Sequence, residues 1–261
     1  MEGGDYTGST SAGTAATEDL RGRTVLVTGG ARRVGAAIAR RLAARGARVA
    51  IHYHSSAREA DALVEELGRG AASFQADLSS PTGPGNLLSR CADVGLSPDA
   101  IVQSAASFLK LPLAETTAEQ WDAVMAMNLR ALFLLARDYG DLRGPQGGQI
   151  VAIADSGAHE LWPAYFAHCV SKAAVLSLVR ALAKAMAPGF RVNAVVPGPV
   201  LAPDGTPDSQ LAAIAERTLL GRMGEPRHVA QAVEFLLTCD YATGAVVDIT
   251  GGAHLWRRPG G

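Results

Sequence analysis

From residue 23 onward, short apolar runs alternate with longer amphipathic stretches, and this alternation restricts the fold more than any other feature of the chain. The runs at 24–28, 48–52, 72–76, 99–103, 149–154, 190–196 and 245–249 read as strands. Helical patterns fill 33–45, 56–68, 84–93, 118–138, 163–186, 208–216 and 226–237. Strand–helix alternation builds βαβ units. It therefore predicts an α/β protein with a Rossmann-type, doubly wound parallel sheet of about seven strands and helices on both faces. Pro/Gly-rich breaks at 81–85, 144–148 and 197–207 are expected to be loops within that domain. With 261 residues, 48% hydrophobic and 19% charged, the chain suits one domain with a single large core.

The composition excludes several classes of function. A net charge of −1 provides no attraction for nucleic acid. Cys91, Cys169 and Cys239 are too few and too scattered for a disulfide framework or a zinc site, so no metal and a reducing compartment are expected. Residues 1–20 are rich in Gly, Ser, Thr and Ala and lack the basic-then-apolar order of a signal peptide; a disordered leader is expected there, with the single domain over 21–261. No apolar run is expected to approach the ~18–20 residues of a membrane span, which predicts a cytoplasmic protein without membrane contact.

The first strand leads into Thr28-Gly29-Gly30-Ala31-Arg32-Arg33-Val34-Gly35 and then a helix. A Gly-rich turn of this kind lets backbone N–H groups approach a pyrophosphate at a helix N-terminus. The second strand ends in His52-Tyr53-His54-Ser55-Ser56, with no acid before Glu59. An acid near this point would normally meet a free ribose 2′-hydroxyl. Arg33, His54, Ser55 and Ser56 instead offer a cation and short donors, which suit a 2′-phosphate and hence NADP(H). The same residues could also form a polar turn capping helix 56–68.

The run from Asp155 to Lys172, D-S-G-A-H-E-L-W-P-A-Y-F-A-H-C-V-S-K, resembles the active-site segment of the short-chain dehydrogenase/reductases. In that family a Tyr-x-x-x-Lys pair follows a strand-end Ser or Asp. Here Asp155 holds the strand end, Lys172 the lysine and His168 the tyrosine's place. The i, i+4 spacing puts His168 and Lys172 on one helix face. The resemblance covers residues 23 to about 255 and is nearest to the pteridine reductases, which also carry Arg at the place of Arg33 and a similar H-Y-H-S-S-A-R-E-A-D-A-L string.

That resemblance implies further roles. Gly29, Val34 and Gly35 would belong to the cofactor turn, and Asp77 and Leu78 would lie against adenine. Ala105, in Q103-S104-A105-A106 where the family has N-N-A-G, would border the cofactor, with the Asn pair lost. Phe108 would be the platform for a stacked pterin, and Tyr165 would line the substrate pocket. Asn128 would hold a relay water, Lys172 the nicotinamide ribose, and Pro197 and Gly198 the loop beside the nicotinamide. The segment 199–220 would close over the substrate.

The altered centre is chemically competent on paper. Tyr starts near ~10 and must be shifted to act at neutral pH, whereas His starts near ~6.5. Imidazole reaches roughly 2 Å less far from the backbone than phenol. A charged Lys172 would favour neutral His168, and the Asp155 carboxylate would favour imidazolium. Asp155 could also donate through water, Ser156 or Tyr165 could have taken over the acid role, or catalysis could be lost. The expected function is NADP(H)-dependent hydride transfer to a C=N bond of a pterin-like small molecule. A carbonyl reductase in a biosynthetic pathway and an inactive NADP-binding scaffold or regulator are the alternatives. Apolar residues on 118–138 (Val124, Met127, Leu132, Leu135) and 163–186 (Val175, Leu178, Leu182) exceed one buried stripe, which predicts a homotetramer.

Overall fold

The computed structural model describes residues 20–202 and 205–255; nearly all of the expected leader lies outside the described residues. In chain order the main elements are β1 (Thr24–Thr28), α1 (Arg33–Ala44), β2 (Arg48–Tyr53), α2 (Ala57–Leu67), β3 (Ala71–Gln75), α3 (Gly83–Asp93), β4 (Ala100–Gln103) and α4 (Ala118–Met125). They continue with α5 (Ala131–Arg143), β5 (Gly148–Ile153), α6 (Gly157–Glu160), α7 (Phe166–Ala185), β6 (Phe190–Pro197), α8 (Asp208–Ala215), α9 (Pro226–Thr238) and β7 (Val246–Ile249). The seven strands pair in parallel in the order β3-β2-β1-β4-β5-β6-β7. This is the doubly wound sheet that the alternation predicts, and its order reverses between β1 and β4.

Strand residues alternate between two apolar layers, as a period of two requires. Leu26, Ile101, Ile150 and Val192 pack under α3, α5 and α7. Val25, Val27, Ile51, Val102 and Val195 pack under α1, α2 and α9. Both sheet faces are thus covered, which is why the strands read as nearly continuous apolar runs.

The structure corrects several sequence expectations. Residues 83–85 begin α3 rather than forming a loop, because Pro84 sits in the first turn, where its missing N–H goes unused. Likewise Gly148 opens β5 and Pro197 closes β6. The helix expected over 118–138 carries a π-helical turn at Ala126–Arg130 and runs on to Arg143. The helix expected from 163 starts only at Phe166, after the one-turn α6. Leu161 takes φ +54° and Pro163 keeps the residue before it out of the helical region. Tyr165 therefore stands at the N-cap of α7 and not on the helix with His168.

Against expectation, α7 is 20 residues long and reaches the apolarity of a membrane span, with mean hydropathy 1.4 over an 18-residue window. Half of it is buried against the sheet, so its composition is that of a core helix. The apolar excess on the long helices is also used differently. Val124, Leu132, Leu135 and Val175 are buried within the chain, and the large apolar side chains left outside on α5 are Phe133 and Leu142, 46% and 39% exposed.

The Gly-rich turn is held by contact as well as by conformation. Gly29 takes φ +61°, and a Cβ on Gly35 would lie 2.1 Å from the Gly29 carbonyl oxygen. Gly35→Ala must therefore push α1 off β1. Overpacking at a backbone contact costs about 1–3 kcal/mol. Urea denaturation should show a loss of that size, whereas Val94→Ala, at a 60% exposed position, should leave stability nearly unchanged.

Candidate active site

All the residues singled out from the sequence lie at the carboxyl ends of the strands or in the segments that follow them. A parallel sheet gathers ligands there, at the point where the strand order reverses. On the β1–β3 side, Gly30 N–H donates to the His52 carbonyl at 3.0 Å, which folds the turn back over β2. Arg33 is exposed with φ +53°, a conformation that favours glycine. Glu59 pairs with Arg32 at 3.7 Å, and Arg33 makes no ion pair among the described residues. Val34 is half-buried behind it.

Ser56 is the N-cap of α2, yet its side chain makes no capping hydrogen bond. The capping alternative therefore fails for its hydroxyl. His54 and Ser55 are exposed beside it, and His54 Nδ1 lies 3.3 Å from the Ala76 carbonyl. Asp77 turns its carboxylate onto Ser79, accepting from the backbone N–H at 2.9 Å and from the hydroxyl at 2.6 Å. These bonds hold its carboxyl below the usual range. Leu78 is buried in the core under the same corner.

The lost Asn pair is compensated by a neighbour. Thr28 Oγ1 accepts the N–H groups of Ser104 and Ala105 at 3.0 and 3.1 Å, joining the ends of β1 and β4. Gln103 Nε2 donates to the Ala105 carbonyl at 2.8 Å. A Cβ on Gly29 would lie 2.9 Å from the Ala105 Cα, so the two segments touch through backbone. On the far side, Gly198 N–H donates to Ile249, and the Pro197 carbonyl accepts from Ser156 N–H. The loop beside β6 is thereby tied to the segment carrying Asp155. Among the described residues this edge keeps an open glycine cradle, a cation without an ion pair and serine hydroxyls without a hydrogen bond, a fit for a phosphorylated dinucleotide.

The catalytic side is built around the Ser107 backbone. Asn128, buried in the π-helical turn, accepts Ser107 N–H at 2.7 Å and donates to Ser107 O at 3.0 Å and to Ser171 Oγ at 2.9 Å. Ser171 in turn donates to the His168 carbonyl at 2.6 Å. His168 Nδ1 lies 3.0 Å from the same Ser107 carbonyl and donates to it, since a carbonyl can only accept. Asn128 is thus engaged in holding the segment against which the imidazole is fixed.

Among the described residues, His168 Nε2 is buried without a hydrogen-bond partner, and Asp155 Oδ1 lies 3.8 Å from it. Asp155 is anchored by the Gly157 N–H at 2.7 Å. Lys172 is buried one turn beyond His168 and donates to the Ile153 carbonyl at 2.8 Å. Burial pushes its ammonium down to about 8, against the opposing pull of Asp155.

The sequence reading therefore brings together Asp155, His168, Lys172 and Asn128. It missed Ser107, whose backbone carbonyl leaves no trace in residue type. Ser171 was findable, as a small hydroxyl residue beside the lysine. Phe108 does reach the centre, 53% exposed, with its ring edge-on to His168 at 4.7 Å. Tyr165 stacks on Phe108 with centroids 4.6 Å apart and 22° between planes, and Trp162 closes the aromatic group at 6.5 Å from Phe108. In the 199–220 segment, α8 is followed by exposed Leu219 and Leu220.

Comparison with known proteins agrees with this geometry. A family model described as enoyl-(acyl carrier protein) reductase matches residues 29–254. The NADPH-dependent aldehyde reductase-like protein of Arabidopsis thaliana chloroplasts is 31% identical, over 89% of this chain and 94% of that one. Among solved structures, FolM alternative dihydrofolate reductase 1 from Brucella canis, complexed with NADP, is 31% identical with a TM-score of 0.84, covering 92% of this chain and 98% of that one. A blue fluorescent protein from a metagenomic library, in complex with NADPH, is 34% identical with a TM-score of 0.82, covering 90% and 99%. The chain belongs to the short-chain dehydrogenase/reductase family of nicotinamide-dependent oxidoreductases.

Proposed function

We propose that this protein is an NADP(H)-dependent reductase of C=N bonds in pterin-like heterocycles, closest in kind to the pteridine reductases. The observation that carries this reading is the carboxylate of Asp155 beside the bare Nε2 of His168. An ionised carboxylate accepts hydrogen bonds and donates none. It repels a carbonyl oxygen on which negative charge develops, and it attracts a ring nitrogen gaining a proton. The exposed Phe108–Tyr165 stack supplies a flat wall at the same place, and a dihydrofolate reductase complexed with NADP shares the fold.

When bound, NADPH supplies the hydride. Gly29, Gly35 and Ala105 would form the wall against its backbone, and Arg33, His54, Ser55 and Ser56 would meet its 2′-phosphate. Asp77 and Leu78 would border adenine, Pro197 and Gly198 the nicotinamide, and Lys172 its ribose. The Nδ1 proton of His168 is committed to Ser107, so a proton for the substrate must sit on Nε2, facing Asp155. That doubly protonated ring would face the Asp155 carboxylate, and a substrate nitrogen would take the Nε2 proton. A carbonyl reductase is the second reading, favoured by likeness to an aldehyde reductase-like protein.

NADPH consumption against a panel of dihydropterins, quinonoid pterins and small ketones tests the substrate. Turnover of pterins well above ketones is expected; the reverse would favour the second reading, and tight NADPH binding without turnover a scaffold. His168→Ala should lower kcat by roughly 10²–10⁴ with little change in NADPH affinity. Asp155→Ala should act in the same direction, and the double variant should lose less than the sum.

NADPH should bind about 10–100-fold more tightly than NADH. Arg33→Gly should erase much of that gap while raising stability by about 1 kcal/mol, because φ +53° no longer strains a side chain. Calorimetric titration and thermal denaturation read both effects. Equal affinities in the unaltered protein would refute the phosphate assignment.

Lys172 makes stability depend on pH. The unfolded chain keeps the lysine proton up to its ordinary 10.5, whereas the folded, cofactor-free chain releases it near 8. The burial penalty, about 3 kcal/mol, is therefore full below 8, shrinks between 8 and 10.5, and is gone above. Relative to Lys172→Met, the unaltered protein should gain stability as pH rises through that window, and parallel pH profiles would contradict this. Assembly is proposed as a homotetramer through α4–α5 and α7, and a monomer in sedimentation at micromolar concentration would exclude it.

A further inference from the structure

His52 lies outside every role assigned so far, although it is the buried histidine at the end of β2, 2% exposed. Its ring touches two backbone segments of opposite demand. Gly29 N–H donates to Nδ1 at 3.1 Å, and Nε2 lies 3.1 Å from the Ala76 carbonyl. The first contact requires a bare Nδ1, and the second requires a proton on Nε2. The neutral Nε2–H tautomer satisfies both at once. The residue's own carbonyl accepts the next amide of the turn, Gly30 N–H, at 3.0 Å. One residue thus holds both glycine amides of the turn, one through its ring and one through its backbone.

We propose that His52 is the positioning residue of the dinucleotide turn: its neutral imidazole spans from Gly29 to Ala76 and sets the separation between the glycine turn and the Asp77 corner, where the two ends of an adenosine phosphate are received. The first two amides of the turn are spent on β2. They therefore fix its shape, and the later N–H groups, at Arg33 to Gly35, are left to meet phosphate. Among the described residues, His52 Nδ1 is the acceptor for the Gly29 N–H, at a residue whose φ of +61° is open to glycine. The environment agrees with the neutral form. Burial pushes the ring down to about 4; the Ala76 bond opposes this, His54 adds to the lowering, and Asp77 opposes it least. The ring consequently stays neutral across the physiological range.

Three variants separate positioning from simple filling of space. Asn places its amide oxygen near the position of Nδ1, so His52→Asn keeps the acceptor for Gly29. Gln extends its amide nitrogen toward the position of Nε2, so His52→Gln keeps the donor to Ala76 and loses the Gly29 bond. His52→Leu removes both. Leaving a buried N–H unpaired is expected to weaken binding by about 10–30-fold. Titration of NADPH into each purified protein, without substrate, should show that loss for Leu and Gln, with Asn within about threefold of the unaltered protein. NADH should weaken by the same factor as NADPH, because the turn serves both and the 2′-phosphate residues are untouched. Nitrogen chemical shifts of the His52 ring at pH 7 should report the Nε2–H tautomer in the cofactor-free protein.

The proposal is overturned if the Leu and Gln variants bind NADPH as the unaltered protein does, if Asn fails to recover affinity, or if affinity follows the melting temperatures rather than the presence of the acceptor. An Nδ1–H tautomer overturns it without reference to any cofactor. Should the Leu variant not fold, the comparison of Asn with Gln decides the matter. A loss confined to NADPH would place His52 with the phosphate-binding residues instead.

Discussion

Every functional side chain in this protein depends on one topological constraint: a wholly parallel sheet has all its carboxyl ends on the same edge. Each strand must return by a crossover on one face or the other, and the handedness of that crossover is fixed. Two apolar layers, one beneath α1, α2 and α9 and one beneath α3, α5 and α7, hold the sheet flat between them. The order reverses between β1 and β4, so their crossovers leave on opposite faces and a crevice opens above. Thr28 joins the two strand ends across that crevice, which lets the glycine turn and the Ser107 segment share one floor.

Within the crevice an imidazole differs from a phenol in more than reach. A phenol presents one oxygen, whereas an imidazole presents two nitrogens whose roles are coupled. By giving Nδ1–H to Ser107, His168 directs Nε2 toward Asp155 and leaves it without a partner. Asn128 makes this arrangement rigid, since it grips the Ser107 backbone at both N–H and carbonyl. The π-helical turn that carries Asn128 turns its amide inward, where a regular helix would keep a 3.6-residue pitch. The carboxylate of Asp155 completes the set with an acceptor-only group 3.8 Å from His168 Nε2.

How much of this was legible in the sequence follows from how each feature is encoded. β1 was readable to the residue because its apolar run is sharply bounded by Arg23 and Gly29. Gly29 and Gly35 were readable because the backbone approaches them too closely for any Cβ. The π-helical turn was not, because a one-residue change in hydrogen-bond register leaves the apolar period almost intact. Tyr165 was misplaced onto the helix, although Pro163 marked the break. Ser107 acts through its backbone, which any residue type would supply. His52 could have been found: it is a polar residue at an inward position of an otherwise apolar strand, beside a glycine turn with amides to satisfy.

The expensive features of the fold are concentrated on this same edge. Arg33 holds a conformation costly for any side chain, Lys172 keeps an amine in the core, and His168 leaves a buried nitrogen unpaired. None of these is needed to close the sheet. A leucine at 172 or a glycine at 33 would serve the architecture better. A protein that only bound a nucleotide could have kept the glycine turn and Arg33 while letting the core around His168 become apolar. Instead the buried amine, the unpaired imidazole nitrogen and the carboxylate remain within one turn of helix and one strand end of each other. Under the proposed function, the strain at Arg33 would serve binding and the polar cost around His168 would serve moving a proton.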